Sequence, residues 1–400
     1  MQTVEDALVA EELASLLVAS WSIGTPRDAG EPTERAVSAI AMLERMGAVR
    51  TLVAVRAVTE SDLRHLVDEA VQRLVLDGGH VVPNWAERLG RVELVECLHV
   101  TEILRDQDLW VMRFRYIGDE PPINHVLTAS IDRNRGGIVR DITLGWPETA
   151  DLLFAAWLSA PASDPRVSVA AGDPAKAATD LATALARTDV TVGADVTQDA
   201  FGLLPLLRSR LRALPPLDLS GPELAWRTTE DGADAEALAA EFAAELAAEF
   251  PGAPPGGRLP EGVDAGRLAQ LFLDSTGFAD ALLRWSPIRV EIVLLEWLPR
   301  RAVLSPAEIE AAPDVLRAFV RWALQRQDVP ADAIEETVAA VGRWESDFKA
   351  SMADESTFGS SKRSLLQMQR DGVDIDDRDA VGRWIDEHQS GAEATAPGTS

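Results

Sequence analysis

Between residues 92 and 144 the apolar residues recur at every second position, whereas on either side they recur every three to four. A period of two belongs to strands and a period of 3.6 to helices, so this one change constrains the fold more than any other feature. The clearest strand is Leu109 to Ile117, where Trp110, Met112, Phe114 and Tyr116 alternate with Val111, Arg113 and Arg115. Val92 to Leu104, Asn124 to Asp132 and Gly137 to Leu144 are the other candidates. The connections Arg105–Asp108, Gly118–Ile123 and Arg133–Gly136 are too short for parallel crossovers, which favours an antiparallel meander. A small sheet needs a cover for its apolar side, so the aromatic face of the second strand is expected to pack on helices.

Those helices are written in the flanks. Val4 to Ser20, Pro32 to Met46 and a run from Ser61 to Leu74 carry helical stripes, and Gly78 and Gly79 end the last of them. Pro147 to Leu158, Pro174 to Ala186 and Phe201 to Leu214 return to the same spacing, with a loop between the first two that contains a short strand at Val167 to Val169. Beyond the proline-rich stretch 215–223, the chain reads as helical throughout: Asp234 to Phe250, Arg267 to Asp274, a continuously apolar run Val290 to Leu298 behind Trp285-Ser286-Pro287, Pro313 to Arg326 and Pro330 to Met352. Ser305 and Glu308 have capping-box spacing. A polar break at Ala353 to Ser364 precedes short helices at Arg363–Arg370 and Asp377–His388. The expected fold class is α+β and predominantly helical, with a small antiparallel β-meander packed against helices, followed by an all-helical C-terminal domain. The expected organisation is a helical part over 1–90, the sheet with flanking helices over 91–215, the helical domain over 225–389 and a disordered tail over 390–400.

The chain carries a net charge of −27, which opposes binding to duplex nucleic acid or an anionic membrane and would attract a basic protein partner. No stretch approaches 18 apolar residues, and the N-terminus lacks the charged-then-apolar order of a signal peptide; Cys97, the single cysteine, excludes an intramolecular disulfide. A cytoplasmic location follows as the expectation. The densest basic run, Arg208, Arg210 and Arg212, lies on an apolar helix and is expected to solvate one face of it.

The familiar catalytic signatures are absent: no GxSxG, HExxH or CxxC and no Walker or dinucleotide glycine loop. Gly359-Ser360-Ser361-Lys362 lacks the first glycine of a phosphate loop, and no strand precedes it. The acidic run Asp371 to Asp379 fails as a calcium loop, because Asp379 stands where glycine is required and Ile385 where a glutamate closes the site; Asp376 or Asp377 is expected to cap the following helix. Cys97 and His99 share one face of a strand, side by side rather than convergent. His125, Asp132 and Asp141 are the most suggestive polar set for acid–base chemistry. The odd separation of His125 and Asp132 puts them on opposite faces, and Asp132 then belongs to the turn Asp132–Gly137. Trp285, Trp297, Trp322 and Trp344 fall at core-facing helical positions. No catalytic, cofactor-binding or metal-ligating residue is assigned, and no cofactor is expected. Glu241, Glu245 and Glu249, spaced by four along one helix, are an alternative docking face for a partner.

The stretches VVPNWAERLGRVELVECLHVTEIL, SIDRNRGGIVRD and WSPIRVEIVLLEWLPRR, with LRAFVRWA and ETVAAVGRWESDF, resemble those of a group of uncharacterised proteins of high-GC Gram-positive (actinobacterial) bacteria. The arginine-rich, lysine-poor composition agrees with that origin. The likeness covers most of residues 80–350 and implies a bacterial source and a shared architecture; no established activity comes with it. Where such proteins carry a histidine in the hairpin, this chain has Arg133, so the likeness does not make the hairpin a metal or acid–base site. The function expected is that of a non-catalytic interaction or regulatory protein, with an enzyme or small-molecule binder whose site lies between sheet and helices as the alternative. An acidic nucleic-acid mimic is a third reading.

Overall fold

A computed structural model describes residues 6–21, 34–118, 123–191, 195–215, 229–247, 259–275, 282–375 and 377–393. The chain divides into two compact units, Met1–Ala225 and Trp226–Ser400. No helix among the described residues is long and apolar enough to cross a membrane.

In the first unit, helices α1 (Ala7–Trp21), α2 (Glu34–Arg45), α3 (Val49–Val58) and α4 (Ser61–Leu76) precede strands β1 (Val92–Glu102), β2 (Gln107–Tyr116), β3 (Asn124–Asp132) and β4 (Ile138–Gly145). Then come α5 (Pro147–Ser163), β5 (Val167–Ala171), α6 (Pro174–Val190) and α7 (Gln198–Leu211). The sheet is antiparallel throughout, in the order β4-β3-β2-β1-β5. The meander is the one the alternation predicts, and the short strand expected near Val167 closes the β1 edge, with Leu98 opposite Ala171. Helix α5 runs on through Pro161 to Ser163, so the loop expected from residue 159 begins later.

Both faces of the sheet are covered. Trp110, Met112, Phe114 and Tyr116, with Cys97, Leu127 and Ala129, form the larger core with residues of α1, α3, α6 and α7. Leu98, Val100, Val111 and Val126 pack against Ala150 and Phe154 of α5 on the opposite face. Arg113 is accommodated there by laying its guanidinium over the Phe154 ring, 4.2 Å from the centroid, while pairing with Glu96 at 3.0 Å.

Helices α1 and α7 approach closely. A Cβ on Gly202 would lie 2.4 Å from Leu16 Cδ2, so a larger residue would push the Leu16 side chain aside. Pro205 cannot donate and disturbs the α7 ladder. Ser15 of α1 bridges the disturbed turn: its hydroxyl donates to Gly202 O at 2.7 Å and accepts from Leu206 N at 3.0 Å.

The second unit contains α8 (Thr229–Ala247), α9 (Ala265–Asp274), α10 (Pro287–Glu291), a π-helical turn (Ile292–Trp297), α11 (Leu298–Arg301), α12 (Pro306–Gln325), α13 (Ala331–Ala353), α14 (Ser360–Arg370) and α15 (Arg378–Glu393), with no strand among the described residues. Its core centres on Phe319, whose ring lies 5.1 Å from Phe242, 5.5 Å from Trp285 and from Trp322, and 5.8 Å from Phe272. Trp285 and Trp322 are buried and Trp297 and Trp344 half-buried against this core. Helix α12 starts earlier than the apolar pattern suggests, at Pro306, because the Ser305–Glu308 capping box forms and Pro313 is carried inside the helix. Helix α14 begins at Ser360, so the polar break is shorter than expected. Asp377 caps α15 through the amides of Asp379 and Ala380, whereas Asp376 lies outside the described residues. The expected linkers at 215–223 and 251–262 and the tail at 390–400 lie wholly or largely outside them too.

Ser305→Ala removes one half of the capping box. It is expected to destabilise the second unit by about 1 kcal/mol, read as a lower urea midpoint with an unchanged slope.

Candidate functional site

The first unit encloses a polar network that joins α1, α7, β2 and β3. Glu11 lies in the apolar stripe of α1 and Arg210 in that of α7, and neither side chain has any solvent exposure. Arg210 Nη2 donates to Glu11 Oε2 at 2.5 Å and to Tyr116 Oη at 3.3 Å. The Tyr116 hydroxyl donates to the same carboxylate oxygen at 2.6 Å, and Gly90 N donates to Glu11 Oε1 at 2.6 Å. Arg210 Nε donates to His125 Nε2 at 2.9 Å. His125 sits opposite Phe114 across the β2–β3 ladder and so faces the aromatic side.

This geometry settles what the histidine can do. Because Arg210 only donates, His125 Nε2 must be the unprotonated nitrogen, and the ring proton sits on Nδ1. Burial first, and the Arg210 charge second, push the His125 pKa well below its ordinary value. Burial and the Glu11 carboxylate push Tyr116 up. Burial works against the Arg210 charge, but Glu11 and Tyr116 outweigh it and leave Arg210 raised. Two donors here, His125 Nδ1 and Arg210 Nη1, have no hydrogen-bond partner among the described residues.

The expectation that Arg208, Arg210 and Arg212 solvate a helix face is corrected. Arg208 pairs with Asp189 at 2.8 Å, Arg212 donates to the carbonyls of Thr59 and Ala57 at the end of α3, and Arg210 is the cation of the buried network. All three hold α7 to its neighbours.

The set His125, Asp132 and Asp141 is not brought together. Asp132 Oδ1 accepts from the Asn134 and Arg135 amides and Oδ2 from Arg140 at 2.8 Å, the turn role its position suggests. Asp141 accepts from Thr197 Oγ1 at 2.8 Å. Beside Asp132 at the same end of the sheet, Asp108 accepts from Arg133 Nε at 2.6 Å and lies 3.3 Å from His99 Nε2, with the His99 ring stacked on Trp110 at 4.3 Å. Burial opposes ionisation of Asp108, yet His99 and Arg133 together hold it at about 2. Cys97 is buried; desolvation first, then Asp173, push its thiol up to about 12. No group of three or more potential metal ligands occurs among the described residues.

Glu11, Tyr116 and Arg210 were not candidates from the sequence. The available signal was a charged residue inside an apolar helical stripe, at Glu11 and again at Arg210.

Several large apolar side chains of the first unit are exposed close in the chain to one tight contact. Gly47, at φ +67, turns the chain from α2 into α3, and the His80 ring lies where a Gly47 Cβ would sit, 2.7 Å from Cε1. The segment after α4 is thereby folded onto the end of α2. Around that contact Met46 (70 % exposed), Leu76 (71 %), Val81 (82 %) and Met42 (50 %) present apolar side chains to solvent.

No protein-family model matches the chain, and no curated protein and no solved structure is similar to it.

Two outcomes follow from the closed groups. His125 stays neutral in the folded unit while the unfolded chain takes up a proton near the ordinary value of 6.5, so stability falls as pH drops below that value, by at most about 1.4 kcal/mol per pH unit. Thermal unfolding from pH 7.5 downward is expected to show this slope, and His125→Gln, which keeps an acceptor for Arg210, to flatten it. The Cys97 thiol is expected to resist iodoacetamide at pH 8 in the folded protein and to react promptly once urea unfolds it.

Proposed function

We propose that this is a non-catalytic interaction protein of the bacterial cytoplasm that docks a basic partner protein through the apolar surface at the α2–α4 end of the first unit. The observation that supports this reading is the grouping of Met42, Met46, Leu76 and Val81, all solvent-exposed, around the Gly47–His80 contact. Exposed large apolar side chains near one another mark sites of protein association, and methionine adapts its shape to a partner at little cost. The charge selects the partner. Two copies of a chain at −27 repel each other, whereas a basic protein is drawn in before its apolar anchors seat.

The acidic stripe of the second unit is a weaker candidate for that role. Glu241 and Glu245 are both held by Arg326, at 2.7 and 2.5 Å, and Glu245 also accepts from Trp322 Nε1 at 3.0 Å. Glu249 lies outside the described residues.

The experiment compares the tagged protein with the triple variant Met46→Asp, Leu76→Asp, Val81→Asp in affinity capture from the native cytoplasm at low and high salt. Sedimentation velocity on the purified chains accompanies it. The expected result is a stoichiometric basic protein on the native chain, weakened by salt and at least about tenfold reduced on the variant, whose melting is unchanged because the replaced side chains are exposed. Equal capture by both chains, or self-association of the native chain through this surface, would overturn the proposal.

A further inference from the structure

The start of α14 lies against the end of α11. Gly359 N donates to Arg300 O at 3.1 Å, and a Cβ on Gly359 would stand 2.7 Å from that oxygen, so the approach depends on glycine. It creates a cavity of about 610 Å³ lined by Leu295, Arg300, Ser356, Phe358, Ser360 and Arg363. The Glu296 carboxylate also borders it.

The cavity gathers two arginines in an otherwise acidic chain. Acidic residues outnumber basic ones 65 to 38, and several cations of the same unit are held by carboxylates: Arg317 by Asp314 and Glu345, Arg321 by Glu335, Arg326 by Glu241 and Glu245, and Lys349 by Glu310. Arg300 and Arg363 have no ion-pair partner among the described residues although both line one concavity. Behind them Lys362 is buried, with its ammonium on Pro299 O at 2.9 Å and over the Phe358 ring at 3.8 Å, again with no carboxylate partner among those residues. Three cationic side chains thus surround the cavity and its wall. The first amides of α14 add partial positive charge, since Gly359 brings no side chain to cap them.

We propose that this cavity binds the phosphoryl group of a small phosphorylated molecule. Two guanidinium forks on one concavity suit a tetrahedral dianion, which accepts hydrogen bonds from several directions at once, whereas a carboxylate is satisfied by a single fork. The Ser356 and Ser360 side chains supply neutral donors at the same wall, and Leu295 and Phe358 supply apolar surface for the body of the ligand. Lys362 does not reach into the site as a phosphate-loop lysine would; it holds α14 to α11 from behind.

The test is isothermal titration of the full chain with inorganic phosphate, glycerol 3-phosphate and acetate at fixed ionic strength. The native chain is compared with Arg300→Ala, Arg363→Ala and, as a control in the other unit, Arg45→Ala. One saturable site for both phosphoryl probes is expected, weakened about tenfold or more by either cavity variant and untouched by Arg45→Ala, because each lost guanidinium removes a charge-assisted bond. The replaced arginines are solvent-exposed, so circular dichroism melting is expected to stay as in the native chain. Gly359→Ala, which forces the α14 start away from Arg300 O, is expected to weaken the site while leaving both arginines present. The absence of saturable phosphoryl binding, equal weakening by Arg45→Ala, or acetate bound as tightly as phosphate would each overturn the assignment.

Discussion

The first unit depends on a single buried ion pair. Glu11 and Arg210 are 199 residues apart in the chain, and their contact closes α1 and α7 over the aromatic face of the sheet. Taking both charges out of water is costly, and the repayment comes from saturation of the carboxylate, which accepts from a guanidinium, a phenol and a backbone amide. A hydrophobic pair of the same volume would offer comparable stability without such directional demands. What the charges add is register. Arg210 Nε finds the one free lone pair of His125 only if α7 stands at one height on the sheet, and the Ser15–Gly202–Leu206 bridge sets the same height from α1. Removing the arginine alone would leave a carboxylate buried without its cation, a loss on the order of 3–5 kcal/mol.

The same network explains why the histidine in this sheet is not a catalyst in waiting. A general base needs a lone pair facing a substrate, and the only one on His125 points at a cation. The thiol at Cys97 is held protonated by its surroundings, and the carboxylate at Asp108 is held ionised by Arg133 and His99. Each group is fixed in the state that serves packing. Docking and anion binding, as proposed, draw on other features: an apolar surface in one unit and an arginine-lined cavity in the other.

Much of the architecture was legible because it rests on local periodicity. The alternation of Trp110, Met112, Phe114 and Tyr116 yields the meander, and the Ser305–Glu308 spacing yields a helix start. Even the turn role of Asp132 follows from parity alone. What was not legible depends on partners distant in sequence. Three arginines at alternate positions on α7 read as a solvated face, because a helix presents alternate residues to different sides and nothing local tells which side meets a carboxylate. Ser15 and Gly202 look unremarkable until Pro205 is seen to need the hydroxyl. The cover of the second sheet face by α5 was missed for a related reason: Arg113 and Arg115 mark that face as polar, whereas Arg113 lies flat on Phe154 and is half-buried by it.

Arginine usage connects these levels. With carboxylates in excess, many arginines of this chain meet an acid that fixes their place. Arg210 shows the limiting case, where the ion pair is wholly buried. Arg326 shows the intermediate one, drawing two carboxylates of α8 to α12 while lying over the Trp322 ring at 4.5 Å. Both are spent on structure. Arg300 and Arg363 carry no ion pair among the described residues, and both line one cavity. The electrostatic energy that folding elsewhere uses to join helices is there left available, and an external anion is the group that can use it.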